Sequence, residues 1–347
     1  MVPWVEWQPS TQVMLEPGAP VLSCPCCSAT PREEAQTIRM AGRAKGAKIR
    51  RLFMPKSSED SLKSESLIFI VQAPQVNPTS VPSTDSAIER YEQSQEDLQY
   101  ARSIQSMMAP TTEQLTALFP ACMVYDRPMA QLSGDFLFVA EKENRVYLAA
   151  CDCTGHGMSA ALMTVLAREK LWQAIHKAGS PAHMLTRLDE KFRAAMMNGD
   201  THRMRAIGMG LDLAVLSYEP ELQQLRFAGA KRPLWIVRQG KLLEFKGTSR
   251  SIGGALWRQI PFVETTLQAR PGDNIFMFSD GLPDQFGGPK DKKLKLKGLR
   301  TLVLLLAELP PEDQREFLTT WMTSWQGASP ATDDQLLVSF KIPTLET

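Results

Sequence analysis

The chain lacks the features that mark membrane-spanning, secreted and nucleic-acid-binding proteins. No apolar run approaches the roughly 20 residues that a membrane helix needs, and the best one is 67–71. The sequence does not open with a basic segment followed by an apolar one, so we expect no secretory signal. Because 39 Lys and Arg stand against 38 Asp and Glu, the net charge of +1 argues against a nucleic-acid partner.

Cysteine is scarce and irregularly placed, with six in 347 residues. Cys151 and Cys153 flank an aspartate, where a disulfide framework would be awkward. We therefore expect a reducing, cytoplasmic location. The hydrophobic content of 43% and charged content of 22% are typical of a globular protein.

Residues 1–84 differ from the rest of the chain in composition and in hydrophobic periodicity. They are rich in Pro, Ser and Thr, lack a sustained period and end in the linker-like run 74–83. We expect a poorly structured extension with no assigned fold. Within it, residues 32–56 carry eight basic and two acidic side chains. A solvated segment is the favoured interpretation of that run, and an arm for nucleic acid or a membrane surface is the alternative.

Residues 85–110 predict a helical linker. Helix-capping candidates stand at 84–86, a polar, helix-favouring run follows, and Pro110 stops it. Leu98, Ala101, Gln105 and Met108 share one helix face, with Ile104 beside them. Two interpretations stay open with equal weight. The stripe is either a coiled-coil seam, giving a homodimer through residues 85–108, or a face packed on the next domain.

Residues 111–347 predict one α+β domain. Short apolar runs rich in β-formers recur at 146–151, 211–217, 225–228, 234–237, 275–279 and 336–342. Gln239-Gly240 marks a hairpin turn. Amphipathic periodicity predicts helices at about 159–178 and 181–197 and a further helical pair near 296–306 and 311–325. This order fits a layered architecture better than alternating βαβ units.

Aspartates stand at the ends of several of these apolar runs. They occur in Ser133-Gly134-Asp135, in Asp152-Cys153-Thr154-Gly155-His156-Gly157, in Ser279-Asp280-Gly281 and in Thr332-Asp333-Asp334. Aspartates that converge from strand ends form a hard-oxygen site for Mg2+ or Mn2+. Two such ions about 3.5–4 Å apart can activate a water for phosphoryl transfer. The sequence therefore predicts a metal-dependent phosphate hydrolase.

Individual positions in these motifs carry different expectations. Asp280 is the strongest candidate, because it ends the uniformly apolar run 275–278 and an unpaired buried carboxylate would be costly. The backbone carbonyl of Cys153 can add a neutral ligand, while its thiol is expected to pack as a small apolar group. His156 has two interpretations of equal weight, a general acid and a residue that shapes the loop. Of Asp333 and Asp334 only one needs to face the site, since neighbours on a strand point to opposite faces.

Together these motifs resemble the bacterial PP2C-type serine/threonine phosphatases of the SpoIIE/RsbU group. The order Ser-Gly-Asp-Phe, Asp-x-x-Gly-His-Gly, Ser-Asp-Gly and Asp-Asp matches across about residues 88–342. The resemblance implies a β-sandwich flanked by helices with two Mn2+ or Mg2+ ions at one edge. It assigns metal binding to Asp135, Asp152, Cys153, Asp280 and Asp333. It also implies attack of a metal-activated water on a phosphoserine or phosphothreonine of a regulatory protein, for example an anti-sigma-factor antagonist.

Two basic features depart from the resemblance or are unexplained by it. Lys231-Arg232 follows Phe227-Ala228-Gly229-Ala230, where relatives often have asparagine. The pair can steer a phosphate or an acidic partner, and a solvated turn is at least as good an interpretation. Residues 290–300 carry five lysines and an arginine against one acidic residue, which suits a solvated face or docking of an acidic phosphoprotein.

Two other functions stay open on the sequence. One is a catalytically weak scaffold of the same fold that binds a partner. The other is a phosphatase of small phosphoesters, since the metal chemistry would be the same.

Overall fold

The computed structural model describes residues 6–7, 11–12, 33–34, 48–52, 69–72, 84–119, 121–197, 210–254 and 260–343. The chain divides into two compact units, residues 1–90 and 91–347. The first contains strands β1 (Glu6–Trp7), β2 (Thr11–Gln12), β3 (Glu33–Glu34), β4 (Lys48–Leu52) and β5 (Phe69–Gln72). β1 pairs with β2, and β3, β4 and β5 form a small antiparallel sheet. Most of the expectation for residues 1–84 falls outside the described residues and stays a prediction.

The second unit holds most of the secondary structure. Helix α1 (Thr84–Met107) enters it and α2 (Thr112–Leu118) follows, capped by Thr111 and Gln114. The strands are β6 (Cys122–Arg127), β7 (Asp135–Lys142), β8 (Arg145–Cys153), β9 (Leu211–Glu219), β10 (Gln224–Ala230), β11 (Leu234–Arg238), β12 (Lys241–Phe245), β13 (Thr265–Gln268), β14 (Asn274–Phe278), β15 (Phe286–Gly287), β16 (Lys292–Lys293) and β17 (Gln335–Lys341). The remaining helices are α3 (Met158–Ile175), α4 (Pro181–Met197), α5 (Gly281–Asp284), α6 (Lys295–Glu308) and α7 (Pro311–Gln326).

Two five-stranded antiparallel sheets form a sandwich. Their strand orders are β13-β10-β9-β8-β7 and β12-β11-β14-β17-β6. Helices α3 and α4 contact the first sheet, and α6 and α7 contact the second. The layers therefore run helix, sheet, sheet, helix, which confirms the predicted α+β sandwich flanked by helices and preceded by a helix.

The strand alternation sorts side chains into three cores. On β8, Leu148 and Ala150 face the core between the sheets, whereas Ala149 and Cys151 face α3 and α4. On β14, Met277 faces the same inter-sheet core, while the neighbouring phenylalanines face α6 and α7. Because both faces are covered, these strands read as continuous apolar runs.

The turn predicted at Gln239-Gly240 is present. Arg238 pairs with Lys241, so the loop has two residues, and Gln239 and Gly240 have φ values of 50° and 69°. Positive φ at both central positions is the geometry of a type I′ hairpin turn. The sequence prediction of this hairpin is therefore confirmed.

One face of α1 packs on the sandwich. Gln105 donates from Nε2 to the Ser133 carbonyl at 2.6 Å, and the Ser133 amide donates to Gln105 Oε1 at 3.1 Å. Gln131 Nε2 donates to Gln95 Oε1 at 2.6 Å. Of the two interpretations of the Leu98–Met108 stripe, the structure supports packing on the next domain. Among the described residues, no helix is long and apolar enough to cross a membrane.

Candidate metal centre

Three aspartates lie side by side at one edge of the sandwich. Asp135 on β7 pairs with Asp152 on β8, and Asp152 pairs with Asp212 on β9. Each lies two residues from a side chain of the inter-sheet core, namely Leu137, Ala150 and Ala214. Since side chains alternate along a strand, the three carboxylates share the inner face of the first sheet.

The second sheet brings Asp280 and Asp333 to the same edge. Asp280 follows β14 and begins α5 without capping it through its side chain, so its carboxylate is available to the site. The negative charge of Asp280 interacts electrostatically with both Asp152 and Asp333. We call Asp135, Asp152, Asp212, Asp280 and Asp333 the acid cluster.

The neighbouring Asp334 has a different role. One of its carboxylate oxygens accepts from the Met129 amide and the other from the Gly134 amide, both at 2.7 Å. Asp334 is buried, and these bonds fix the loop that leads into Asp135. Asp333 accepts from the Asp334 amide at 2.9 Å and is less deeply buried. Asp334 is therefore a structural anchor, and Asp333 is the member of the pair available to the site.

Two glycines allow the backbones at this edge to approach each other. A Cβ on Gly134 would lie 2.9 Å from the Ala160 Cβ and 3.0 Å from the Cys153 carbonyl oxygen. A Cβ on Gly281 would overlap the Asp334 carbonyl oxygen. The glycine beside each aspartate is thus required by packing at the site rather than by turn geometry.

A buried arginine lies among the carboxylates. Arg232 Nη2 is 2.6 Å from Asp152 Oδ2, 2.5 Å from Asp280 Oδ2 and 3.4 Å from Asp212 Oδ2. Only 14% of its side chain is exposed, against 52% for its neighbour Lys231, which pairs with Asp212 at 3.2 Å. The interpretation of Lys231-Arg232 as a solvated turn is therefore wrong for Arg232.

The electrostatics of the acid cluster are those of like charges taken out of water. Burial and the neighbouring carboxylates raise the pKa of Asp152 to about 7, against the lowering effect of Arg232. Burial, then the charge of Asp152, raises the pKa of Asp135 well above its usual value. Burial also raises the pKa of Asp333. A cation at this edge is what such a group of carboxylates requires in order to ionise.

Cys153 and His156 occupy different surroundings. The Cys153 side chain is buried among the apolar residues under α3 and α4, and burial raises its thiol pKa well above the usual range. Its main chain lies at the site, because its amide donates to the Gly134 carbonyl at 3.1 Å. His156 is exposed, and its charge acts on Asp333. The structure thus brings the Cys153 backbone to the acid cluster and His156 to its rim.

The residues present fit divalent ions by their chemistry. Asp135 Oδ2 and Asp212 Oδ1 are buried without a hydrogen-bond partner, which leaves hard-oxygen donors unused. Across the described ranges, no group of three or more His, Cys, Asp or Glu side chains is arranged so that it can hold a metal ion as it stands. The Arg232 guanidinium lies between Asp152 and Asp280 instead. Ion binding at Asp152 and Asp280 therefore requires that Arg232 move away from their carboxylates.

Sequence reasoning missed Asp212 and the position of Arg232. Asp212 did carry a signal, since it is the one charged residue in the otherwise apolar run 211–216. Its role became visible only through the register with Asp152. No local pattern indicates that Arg232, at 80 residues from Asp152 and 48 from Asp280, meets both carboxylates.

Comparison with known proteins supports this picture. Residues 142–343, more than half of the chain, match the family described as Stage II sporulation protein E (SpoIIE). Phosphoserine phosphatase RsbP of Bacillus subtilis (strain 168) is 25% identical over 165 residues, which are 46% of this chain and 39% of RsbP. The chain thus matches well under half of that relative's length.

Solved structures share the fold. The SiaA-PP2C domain of Pseudomonas aeruginosa is 27% identical, with a TM-score of 0.66, over 73% of this chain and 98% of that domain. The PP2C phosphatase domain with a regulatory fragment of SpoIIE from Bacillus subtilis has a TM-score of 0.52 at 16% identity, over 65% and 64% of the two chains. That second likeness shows the fold alone.

The chain belongs to the SpoIIE family of PP2C-type domains. The resemblance inferred from the four aspartate motifs is thereby confirmed. Its relatives by sequence and by structure include PP2C-type phosphatases.

Proposed function

We propose that this chain is a metal-dependent protein serine/threonine phosphatase that hydrolyses phosphoserine or phosphothreonine on a regulatory protein. Membership of the SpoIIE family and the likeness to the phosphoserine phosphatase RsbP support the reaction class. The observation that carries the proposal is the convergence of the acid cluster, drawn from both sheets, at one edge of the sandwich.

The acid cluster is the place for two Mn2+ or Mg2+ ions. We assign the carboxylates of Asp135, Asp152, Asp280 and Asp333 and the carbonyl of Cys153 to hold them, with Asp212 as a further carboxylate beside them. When bound, divalent ions lower the pKa of a coordinated water and offset charge that develops on a phosphoryl group.

The chain's own residues supply position and charge. Gly134 permits the close approach of Ala160 and the Cys153 carbonyl, Gly281 permits that of the Asp334 carbonyl, and Asp334 fixes the loop before Asp135. Arg232 is placed to bind a phosphate oxygen once it leaves the carboxylates, because guanidinium groups pair well with phosphate. We assign His156, at the exposed rim beside Asp333, the role of a proton donor to the leaving hydroxyl.

The substrate and the assembly are further parts of the proposal. RsbP is named a phosphoserine phosphatase, which favours a phosphorylated regulatory protein, such as an anti-sigma-factor antagonist, as substrate. We also propose a homodimer through residues 85–108. Tyr100 and Met107, on the face of α1 away from the sandwich, are largely exposed. The free thiols of Cys122, Cys151 and Cys153 support a cytoplasmic location.

The test is hydrolysis of an aryl phosphate and of a phosphoserine peptide by the purified chain with Mn2+, with Mg2+ and with EDTA. We expect activity with either ion and none with EDTA. Asp280→Asn should lower kcat/KM by more than the roughly 10–100-fold that outer-shell changes cost at metal sites, because it removes a direct ligand. Asp291→Asn is the matched control, since Asp291 accepts a hydrogen bond from Ser329 on the exposed surface and lies outside the acid cluster.

Each other result has a defined meaning. Absence of both Mn2+ binding and hydrolysis would favour the partner-binding scaffold, whereas Mn2+ binding without hydrolysis would indicate an enzyme that needs an activating partner. Hydrolysis of the aryl phosphate alone would favour a phosphatase of small phosphoesters. Normal activity of Asp280→Asn at limiting Mn2+ would overturn the metal assignment.

A further inference from the structure

A cavity of about 780 Å³ opens beside the acid cluster. Asp280 and Arg232 belong to its wall, so the cavity adjoins the proposed reaction site directly. Its cationic lining consists of Lys231, Arg232, Lys246, Lys295, Lys297 and Arg300. We call this cavity the basic pocket.

The charges of the basic pocket come from segments that are distant in sequence. Lys231 follows β10, Lys246 follows β12, and Lys295 and Lys297 lie in the first turn of α6. The acidic lining is Glu244, Asp280 and Asp284. Six cations against three acids give the lining a net charge of +3, whereas the whole chain carries only +1. Positive charge is therefore concentrated at this one concave surface.

Three of these cations form no ion pair with any residue that the structure describes. Arg300 is held by Glu244 at 2.5 and 3.0 Å, and Lys231 by Asp212 at 3.2 Å. Lys246, Lys295 and Lys297 are exposed and form no ion pair or side-chain hydrogen bond within the described part of the chain. These three ammonium groups are thus available to a ligand.

The pocket also has an apolar wall. Trp235, Phe278 and Leu296 line it. The indole Nε1–H of Trp235 is buried without a hydrogen-bond partner in the regions the structure describes. A partner with both carboxylates and apolar groups would match this lining better than an inorganic anion would.

We propose that the basic pocket docks the acidic segment that flanks the phosphorylated residue of a protein substrate. This inference rests on the proposed function and adds to it a substrate class, phosphoproteins with Asp or Glu next to the phosphorylated residue. The position of Asp280 and Arg232 in the pocket wall makes the docked segment continuous with the reaction site. Complementary charge favours encounter and selects the partner.

The basic run 290–300 is thereby divided into two parts. Lys295, Lys297 and Arg300 line the basic pocket, whereas Lys290, Lys292 and Lys293 do not. Lys293 instead pairs with Asp284 at 3.0 Å. The sequence alone left a solvated face and a docking surface open for the whole run. On this proposal each interpretation applies to one part of it.

The experiment compares an acidic phosphoserine peptide, with Asp and Glu on both sides, and a neutral one of equal length. Binding is measured by fluorescence anisotropy in EDTA, and hydrolysis as kcat/KM with Mn2+. Lys295→Glu/Lys297→Glu is the test variant. Lys290→Glu/Lys292→Glu makes the same charge change in the same run outside the pocket. Thermal unfolding checks that both variants fold.

We expect wild-type protein to bind the acidic peptide about tenfold more tightly than the neutral one at low salt, with the preference shrinking as salt rises. The test variant should lose the preference, chiefly through KM, and the control variant should keep it. Absence of a preference in wild-type protein, or equal loss in both variants, would overturn the docking proposal. Should the test variant fail to fold, Lys246→Ala/Lys297→Ala provides the same comparison.

The two proposals fail in different ways. Charge-dependent binding in EDTA without hydrolysis of any peptide or of an aryl phosphate would support docking and count against the phosphatase. Hydrolysis of both peptides with equal kcat/KM would support the phosphatase and count against docking.

Discussion

The guanidinium of Arg232 lies 2.6 Å from a carboxylate oxygen of Asp152. The two residues are 80 positions apart and meet at the same end of the first sheet, with Asp152 near the end of β8 and Arg232 just after the end of β10. Burial by itself lowers the pKa of Arg232, and the charges of Asp152 and Asp280 outweigh that and raise it. The side chain of Arg232 thus supplies the positive charge that the carboxylates of the acid cluster need.

Replacement of this arginine should separate stability from metal binding. Arg232→Gln leaves buried carboxylates without their cation, so the metal-free protein should lose about 3 kcal/mol of unfolding free energy. The same change removes a competing cation, so Mn2+ should bind more tightly. Urea unfolding in EDTA measures the loss of stability, and isothermal titration calorimetry with Mn2+ measures the change in affinity.

The matched control for Arg232→Gln is Arg238→Gln. Arg238 forms a bidentate salt bridge with the buried Asp273, outside the acid cluster. Its Nε donates to Oδ1 at 2.8 Å and its Nη2 donates to Oδ2 at 2.7 Å. Its replacement should cost stability without a change in Mn2+ affinity. Weaker Mn2+ binding by Arg232→Gln would show that Arg232 supports the metal site rather than competing with it.

The stability of the metal-free protein should fall as the pH rises towards 8. The pKa of Asp152 is about 7 in the folded chain, whereas an aspartate in water has an ordinary pKa of 3.8. At pH values between these two, Asp152 therefore keeps a proton in the folded state that it has lost in the unfolded state. Protonation of Asp152 thus stabilises the fold. This contribution is complete below about pH 4 and is lost as the pH passes through about 7.

Urea unfolding in EDTA between pH 5 and pH 8 measures this dependence. Asp152→Asn should flatten it, since the amide does not titrate. A wild-type midpoint that is constant or rises over this range would contradict the raised pKa.

The contact between the linker helix and the Asp135 loop should matter for both stability and activity. Gln105→Ala removes the two hydrogen bonds to the Ser133 backbone, at a cost of about 1–2 kcal/mol. We expect faster amide exchange at residues 133–135 and weaker Mn2+ binding. Gln99→Ala on the exposed side of the same helix is the control. Unchanged exchange at residues 133–135 would show that the loop does not depend on α1.

The glycine after Asp280 should not tolerate a methyl group. In Gly281→Ala the new Cβ would overlap the Asp334 carbonyl, and forced shifts of this kind cost about 1–3 kcal/mol. The displaced strand would also carry Asp334 away from the Gly134 amide that it binds. Thermal unfolding should show a lower midpoint. Gly179→Ala, where an added Cβ has open space, should leave the midpoint unchanged.

Much of the fold follows from local pattern. The strand and helix positions were predictable because buried strands and amphipathic helices leave short-range periodicities in the sequence. Asp135, Asp152 and Asp280 were found in the same way, since each stands where an apolar run begins or ends. Strand ends meet at sheet edges, so a convergent acidic site could be predicted before any register was known.

The sequence by itself determined the family, the sandwich with its helices and the acidic motifs, all of which depend on neighbours in the chain. Tertiary structure alone decided that Asp334 anchors a loop, that Asp212 joins the acid cluster and that Gln105 faces Ser133. It also placed Arg232 among the carboxylates and separated Lys295 from Lys290. These outcomes depend on strand register and on contacts between distant segments, and neither leaves a mark in local composition.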